Sequence, residues 1–158
     1  MAILVRGATR CPICGRIIAD RDAAMLFPAF VANERDPVFF FSDGAFHEPC
    51  VDAHVDGAAA RKLALDAVEH SRPERRACAV CGEPIRDPDD FLGFGYLTND
   101  PDLAAARFNY LQLHRSHIGR WQDLDAAVVA LEQLRDSGRW QGAWLATLIR
   151  QLLDGRRQ

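Results

Sequence analysis

The stretch "CPICG" at residues 11–15 decides the local fold, because the same Cys-x-x-Cys-Gly pattern returns as "CAVCG" at residues 78–82. Each copy is followed, after 32 further residues, by a second pair of metal-binding residue types spaced three apart. These second pairs are His47 with Cys50 and His114 with His117. The equal distances indicate that each Cys-x-x-Cys works together with the pair that follows it.

The two sets use every cysteine of the chain, which has five. The first set is Cys11, Cys14, His47 and Cys50, and the second is Cys78, Cys81, His114 and His117. Each set offers four nitrogen or sulfur ligands, the number and type that tetrahedral zinc takes in structural sites. We therefore predict two zinc ions per chain and no catalytic residue among their ligands.

Two alternatives to zinc explain fewer of these residues. A thioredoxin-like redox dithiol needs a single Cys-x-x-Cys at a strand–helix junction, and it accounts neither for the His47–Cys50 pair nor for a second copy. A chance match of composition does not produce two complete sets at equal spacing. Ligand pairs that interleave between two metals would make that equal spacing a coincidence, so we expect sequential sites.

The similarity between the two halves extends beyond the ligands. Shifting the chain by 67 residues places residues 11–50 on residues 78–117, and nine of these positions then carry identical residues. The nine identical pairs are Cys11/Cys78, Cys14/Cys81, Gly15/Gly82, Ile18/Ile85, Asp20/Asp87, Asp22/Asp89, Phe27/Phe94, Phe41/Phe108 and His47/His114. The pattern indicates an internal repeat that arose by duplication.

The residues between the ligand pairs predict the local structure. In Cys-x-x-Cys-Gly, the glycine can take a positive φ, so that the two sulfurs lie on one side of a tight turn. The segment "PVFFFSDGAFH" at residues 37–47 is predicted as a hairpin, with residues 38–41 forming a strand whose two faces are both apolar. A short helix over residues 48–56 then carries the second pair, with Pro49 in its first turn.

The order of Cys-x-x-Cys-Gly turn, hairpin and ligand-bearing helix resembles the treble-clef zinc fingers. This superfamily includes LIM and RING domains and the His-Asn-His nucleases. The resemblance covers residues 11–50 and 78–117. It implies a metal site and a local fold rather than one activity. LIM modules are separated by only a couple of residues, whereas 27 residues separate Cys50 from Cys78 here. A RING domain interleaves its ligand pairs, so neither a LIM role nor a RING role is carried over.

The remaining chain is predicted to be helical. Asp56 is expected to cap a helix that runs to about His70, and Pro73 begins a linker. Two apolar stripes after residue 121, separated by Asp136-Ser-Gly138, predict a helical hairpin whose second helix includes Trp140 and Trp144. The expected fold is a small zinc-stabilised α+β protein with tandem treble-clef-like fingers. Its parts are a first finger with the following helix (1–72), a second finger (73–120) and a C-terminal helical hairpin packed on the fingers (121–158).

Composition limits the classes of function. The 158 residues are 49% hydrophobic and 26% charged, with a net charge of -3, which is typical of a globular protein and argues against general nucleic-acid binding. Arginine outnumbers lysine 18 to one, as in GC-rich bacterial genomes. The N-terminal residues lack the features of a signal peptide, and no stretch approaches the ~20 apolar residues of a membrane span, so we expect a cytoplasmic protein.

Three functions stay open at this point. The first is a zinc-stabilised scaffold that binds another protein or a second copy of itself, through the Phe39–Phe41 strand or the Trp140/Trp144 helix. The second is nucleic-acid binding through Arg107, Arg115 and Arg120. The third is a treble-clef nuclease, in which His114 or His117 would belong to an open site. The acidic clusters at 87–90 and 99–102 lie beside prolines, where such residues more often cap turns than act as acids.

Overall fold

The computed structural model describes residues 2–157, and over these residues the chain is a small α+β protein. It contains two two-stranded antiparallel sheets. The strands are β1 (Ala24–Leu26), β2 (Ala45–His47), β3 (Phe91–Gly93) and β4 (Gln112–His114). The α-helices are α1 (Glu48–Asp52), α2 (Gly57–Ser71), α3 (Leu124–Asp136) and α4 (Trp144–Gly155).

Both sheets place a predicted ligand at the same register position. In the first sheet β1 pairs with β2 so that Ala24 lies opposite His47. In the second sheet β3 pairs with β4 so that Phe91 lies opposite His114. Each histidine is thus the last residue of its strand and directly precedes a helical turn, which is α1 in the first case and the 3₁₀-helix Arg115–Arg120 in the second.

The elements recur at the 67-residue offset, and they do so over a longer range than the ligand sets. The 3₁₀-helices Pro37–Phe41 and Ala104–Phe108 match residue for residue, and α3 begins 67 residues after α2. We call residues 10–71 the first segment and residues 77–138 the second segment. Helix α4 follows the second segment and has no counterpart in the first.

Unusual backbone features also match between the two segments. Asp43 and Tyr110, which lie 67 residues apart, have φ values of 59° and 58°, a left-handed conformation that few residues other than glycine adopt. One residue earlier, the Ser42 hydroxyl accepts hydrogen bonds from two backbone N–H groups, and the Asn109 amide oxygen does the same at the matching positions. Different side chains therefore serve the same local structure.

The prediction of a strand over residues 38–41 was wrong, because these residues form the 3₁₀-helix Pro37–Phe41. Pro37 fixes φ at the first position, and the Asp36 carboxylate accepts a hydrogen bond from the Val38 N–H at 3.0 Å, so the turn is capped. The helical turn buries Val38 and Phe41 and leaves Phe39 and Phe40 at the surface.

The long helices were predicted correctly, with two corrections at their ends. The Asp56 side chain was expected to cap α2, but its backbone oxygen, and not its carboxylate, accepts the hydrogen bond from Ala60. Trp140 precedes α4 instead of lying within it, and its indole N–H donates to the Gly142 oxygen. Gly138 has a φ of 72° and ends the segment after α3 as expected.

Two hydrophobic clusters form the core, one for each segment. The first cluster surrounds Phe27, Phe41 and Phe46, and the second surrounds Phe94 and Phe108 and includes the buried faces of α3 and α4. Trp140 is 7% exposed in the second cluster, so the Trp140/Trp144 stripe, which the sequence left open between core and binding surface, is mainly core.

Contacts between the segments tie the two clusters together. Tyr96 of the second segment packs in the first cluster, and the Tyr110 ring stacks on His70 with centroids 4.2 Å apart. The Asn33 side chain donates to the Arg139 oxygen at 2.9 Å and accepts from the Gln141 N–H at 3.0 Å. The two hydrogen bonds of Asn33 anchor the loop before α4 to the first segment.

Candidate metal centres

The structure brings all eight predicted ligands into two groups of four. In each group the sulfur and imidazole nitrogen atoms lie within 4.8 Å of one another. One group is Cys11, Cys14, His47 and Cys50, and the other is Cys78, Cys81, His114 and His117. The grouping is the sequential one, so each Cys-x-x-Cys meets the pair that follows it in the chain.

A tight turn positions the first two sulfurs of each group. The Gly15 N–H donates to the Cys11 oxygen at 2.8 Å, and the Gly82 N–H donates to the Cys78 oxygen at the same distance. Both glycines have positive φ values, 73° and 76°, which a side chain would strain. The glycine after the second cysteine therefore closes the turn and keeps both thiols on one side.

Backbone hydrogen bonds connect each turn to its histidine-bearing strand. The His47 N–H donates to the Cys11 sulfur at 3.4 Å, and the His114 N–H donates to the Cys78 sulfur at 3.3 Å. Both sulfurs are buried, so these N–H groups stabilise a thiolate that water cannot reach.

The distances between ligand atoms fit a tetrahedral zinc ion. Zinc lies about 2.3 Å from sulfur and about 2.0 Å from nitrogen, which places neighbouring S and N ligands about 3.5 Å apart. The Cys14 sulfur lies 3.3 Å from His47 Nδ1. In the second group, Cys78 lies 3.7 Å from His117 Nδ1 and Cys81 lies 3.6 Å from His114 Nδ1. The donor types of both sets suit zinc, and these three sulfur–nitrogen distances match its spacing.

The thiols of the first group have strongly different acidities. Hydrogen bonds from the backbone and the side chain of Arg16 lower the pKa of Cys14 to about 6. Burial, followed by the neighbouring sulfurs of Cys14 and Cys11, raises the pKa of Cys50 to about 11. Three thiolates cannot coexist in so small a volume without a compensating charge. A divalent cation would supply that charge.

The second group contains only two thiols and so accumulates less negative charge. Burial opposes ionisation of Cys78, but backbone N–H groups, led by those of His114 and Cys81, outweigh it and lower the pKa to about 6. Asp90 lies near this group and accepts hydrogen bonds from the Ser116 N–H at 2.9 Å and the Ser116 hydroxyl at 3.1 Å. Asp90 thereby caps the helical turn that carries His117.

Sequence reasoning missed the role of Asp22, which orients the histidine of the first group. Asp22 Oδ2 lies 3.2 Å from His47 Nε2 and accepts the Ala19 N–H at 2.7 Å. Because His47 Nδ1 faces the sulfurs, Nε2 carries the hydrogen and donates it to the carboxylate, an arrangement common behind metal-bound histidines. The contact depends on the strand register that sets Ala24 opposite His47, and no local sequence pattern reveals that register.

Replacing Asp22 with asparagine should weaken zinc binding at the first group by about 10- to 100-fold, the usual cost of losing such a carboxylate. Competition with a coloured chelator would measure the affinities. Asp89→Asn is the matched control, because Asp89 holds the same position in the second segment and its N–H bonds to Asp87. Equal effects of the two substitutions would contradict the orienting role of Asp22.

Other residues considered from sequence lie outside the two groups. His54 packs against Phe40 and Phe41, and His70 stacks on Tyr110, so both belong to aromatic packing. Arg107 forms an ion pair with Asp123 at 3.3 Å. The Arg115 guanidinium donates to the Phe91 oxygen at 3.1 Å, and Arg120 is exposed.

Across residues 2–157, the helices are too short or too polar to cross a membrane. In comparisons with known proteins, no protein family, no curated protein and no solved structure matches the chain. Its function is therefore inferred from the geometry of its own residues.

Proposed function

We propose that this protein is a scaffold held together by two structural zinc ions, which presents an apolar surface to a protein partner. Each segment would be a treble-clef-like finger, and the two would descend from one duplicated unit. The order of turn, antiparallel hairpin and helical turn in each segment supports this assignment. So do the elements and hydrogen bonds that recur at the 67-residue offset.

The donor sets favour structural zinc over catalytic zinc. A catalytic zinc keeps one position for water or substrate, whereas each group here has four protein ligand atoms close enough to fill a tetrahedron. Both histidines of the second group turn Nδ1 toward a sulfur, so neither is available as a free base for nuclease chemistry. The chain would therefore act by binding and not by catalysis.

The observation that carries the binding role is an asymmetry between the two segments. Among the described residues of both segments, seven large hydrophobic side chains are exposed in the first and one, Val129, in the second. Those of the first segment are Ile17, Leu26, Phe39, Phe40, Val55, Leu65 and Val68. At the matching positions the second segment has Pro84, Gly93, Ala106, Arg107, Gln122, Glu132 and Arg135. Surplus apolar surface on one segment is typical of a protein-binding face.

Nucleic-acid binding has less support than protein binding. Two of the three arginines considered for it are already engaged, Arg107 with Asp123 and Arg115 with the Phe91 oxygen. The net charge of -3 also works against a polyanionic partner. A DNA titration at increasing salt would test this candidate, since tight binding with a steep salt dependence would favour it over the scaffold.

Substitution of zinc by cobalt(II) separates a scaffold from an enzyme. We expect the visible absorption of the cobalt protein to stay unchanged when azide or cyanide is added, because four protein ligands leave no position for an added ion. A spectral change at saturating azide would reveal an open coordination position. That outcome would replace the scaffold with a catalytic assignment.

A further inference from the structure

An apolar groove runs along the first segment between the end of β1 and helix α2. It encloses about 290 Å³ and is lined mainly by Leu26, Phe27, Pro28, Ala64, Leu65 and Val68. Three of these side chains are open to solvent, Leu26 at 46%, Leu65 at 70% and Val68 at 43%. Exposed apolar side chains gathered in one groove are costly to leave in water.

The second segment shows what covers the matching position. Phe94 is the counterpart of Phe27, and α3 is the counterpart of α2. There the indole N–H of Trp144, the first residue of α4, donates to the Phe94 oxygen at 3.4 Å. Helix α4 packs along α3 and buries Leu145, Leu148, Ile149 and Leu152 in the same cluster as Phe94. Helix α4 thus covers the position in the second segment that matches Phe27. The counterparts of Leu65 and Val68 are the polar residues Glu132 and Arg135, which need no cover, so of the two described segments only the first keeps an uncovered apolar groove.

The charge of the groove agrees with an apolar occupant. Among the described residues that line it, Arg61 alone is charged. Its guanidinium forms ion pairs with Glu48, at 3.6 Å, and with Asp52. The groove therefore presents no unbalanced charge that would attract a phosphate or a polyanion.

We propose that the groove between β1 and α2 binds one amphipathic α-helix of a protein partner, seated as α4 is seated on the second segment. Helices that bind in such grooves contact the groove through apolar side chains at positions i, i+3, i+4 and i+7. The partner helix would carry an aromatic residue at its N-terminal end, placed near the Phe27 oxygen as Trp144 is placed near that of Phe94. This inference rests on the proposed scaffold function and identifies the surface and the kind of partner.

A peptide copy of α4 is a direct probe of the groove. A fluorescein-labelled peptide of residues 143–157 would be titrated with the zinc-loaded full chain and followed by fluorescence anisotropy. We expect a Kd of roughly 10–100 µM, weak because a single helix buries little area and must order on binding. Leu65→Asp should weaken binding at least tenfold, and Val68→Asp should do the same. Val55→Asp is the control, because Val55 is 90% exposed and lies outside the groove.

Three results would overturn the inference. One is no binding of the peptide by wild-type protein up to about 1 mM, a limit that excludes any useful affinity. Another is equal weakening by Val55→Asp, which would place the peptide elsewhere. The third is self-association of the chain that Leu65→Asp abolishes, which would assign the groove to a second copy. Circular dichroism and zinc content of each variant separate these results from misfolding. A spectral response of the cobalt protein to azide would contradict the scaffold function, but it would not change whether the peptide binds in the groove.

Discussion

Serine in place of Cys14 or Cys81 is expected to unfold the segment that contains it, and chelation of both metals should unfold the chain. Zinc bound by small modules contributes apparent free energies of ~10 kcal/mol or more to folding. Total stabilities of domains are about 5–15 kcal/mol, so loss of one site removes most of what holds a segment folded. Each cluster also includes a ligand, Cys11 in one and Cys78 in the other, so the metal sites and the core are continuous.

Thermal unfolding and limited proteolysis would measure this effect. Asp20→Ser is a suitable control, because Asp20 is exposed and lies close to the first turn without contributing a ligand. We expect the control to melt like the wild type and the cysteine variants to aggregate or be cleaved rapidly. Full thermal stability after chelation would show that the fold does not depend on metal.

The second large effect is expected from Phe27→Ala. The Phe27 ring is 2% exposed and has its centroid 5.5 Å from Phe41 and 5.8 Å from both Phe30 and Phe46. Truncation of such a side chain leaves a cavity and usually costs about 3–5 kcal/mol. Phe94→Ala should have a similar effect in the second segment, where Phe94 is fully buried beside Phe108 and Trp121.

Urea unfolding of zinc-loaded protein would measure both losses. Phe39→Ala is the matched control, because Phe39 is 38% exposed and its truncation should cost about 1 kcal/mol or less. Similar losses for Phe27→Ala and Phe39→Ala would mean that the aromatic cluster is not the core of the first segment.

The grouping of the ligands and the position of the long helices could be predicted from sequence. Metal ligation requires particular residue types at particular spacings, so Cys11-x-x-Cys14 and its distant partners remain visible in a single chain. The helices α2 and α3 have periodic apolar positions, a signal that extends over many residues.

The remaining features depend on contacts that a local pattern does not contain. The run Phe39–Phe41 has the composition of a strand, but Asp36 and Pro37 start a helical turn there, and the capping of that turn outweighs strand preference. Trp140 shares the apolar character of α4, yet Gly142, with a φ of 119°, separates it from the helix. Asp22 meets His47 only because β1 and β2 pair in one register.

Native mass spectrometry of the freshly purified chain, combined with elemental analysis, tests the central claim most directly. We predict two zinc ions per chain, and the loss of one ion in Cys14→Ser and of the other in Cys81→Ser. A wild-type chain with one zinc ion or none, or with a disulfide joining Cys11 to Cys14, would contradict the assignment of two structural zinc sites.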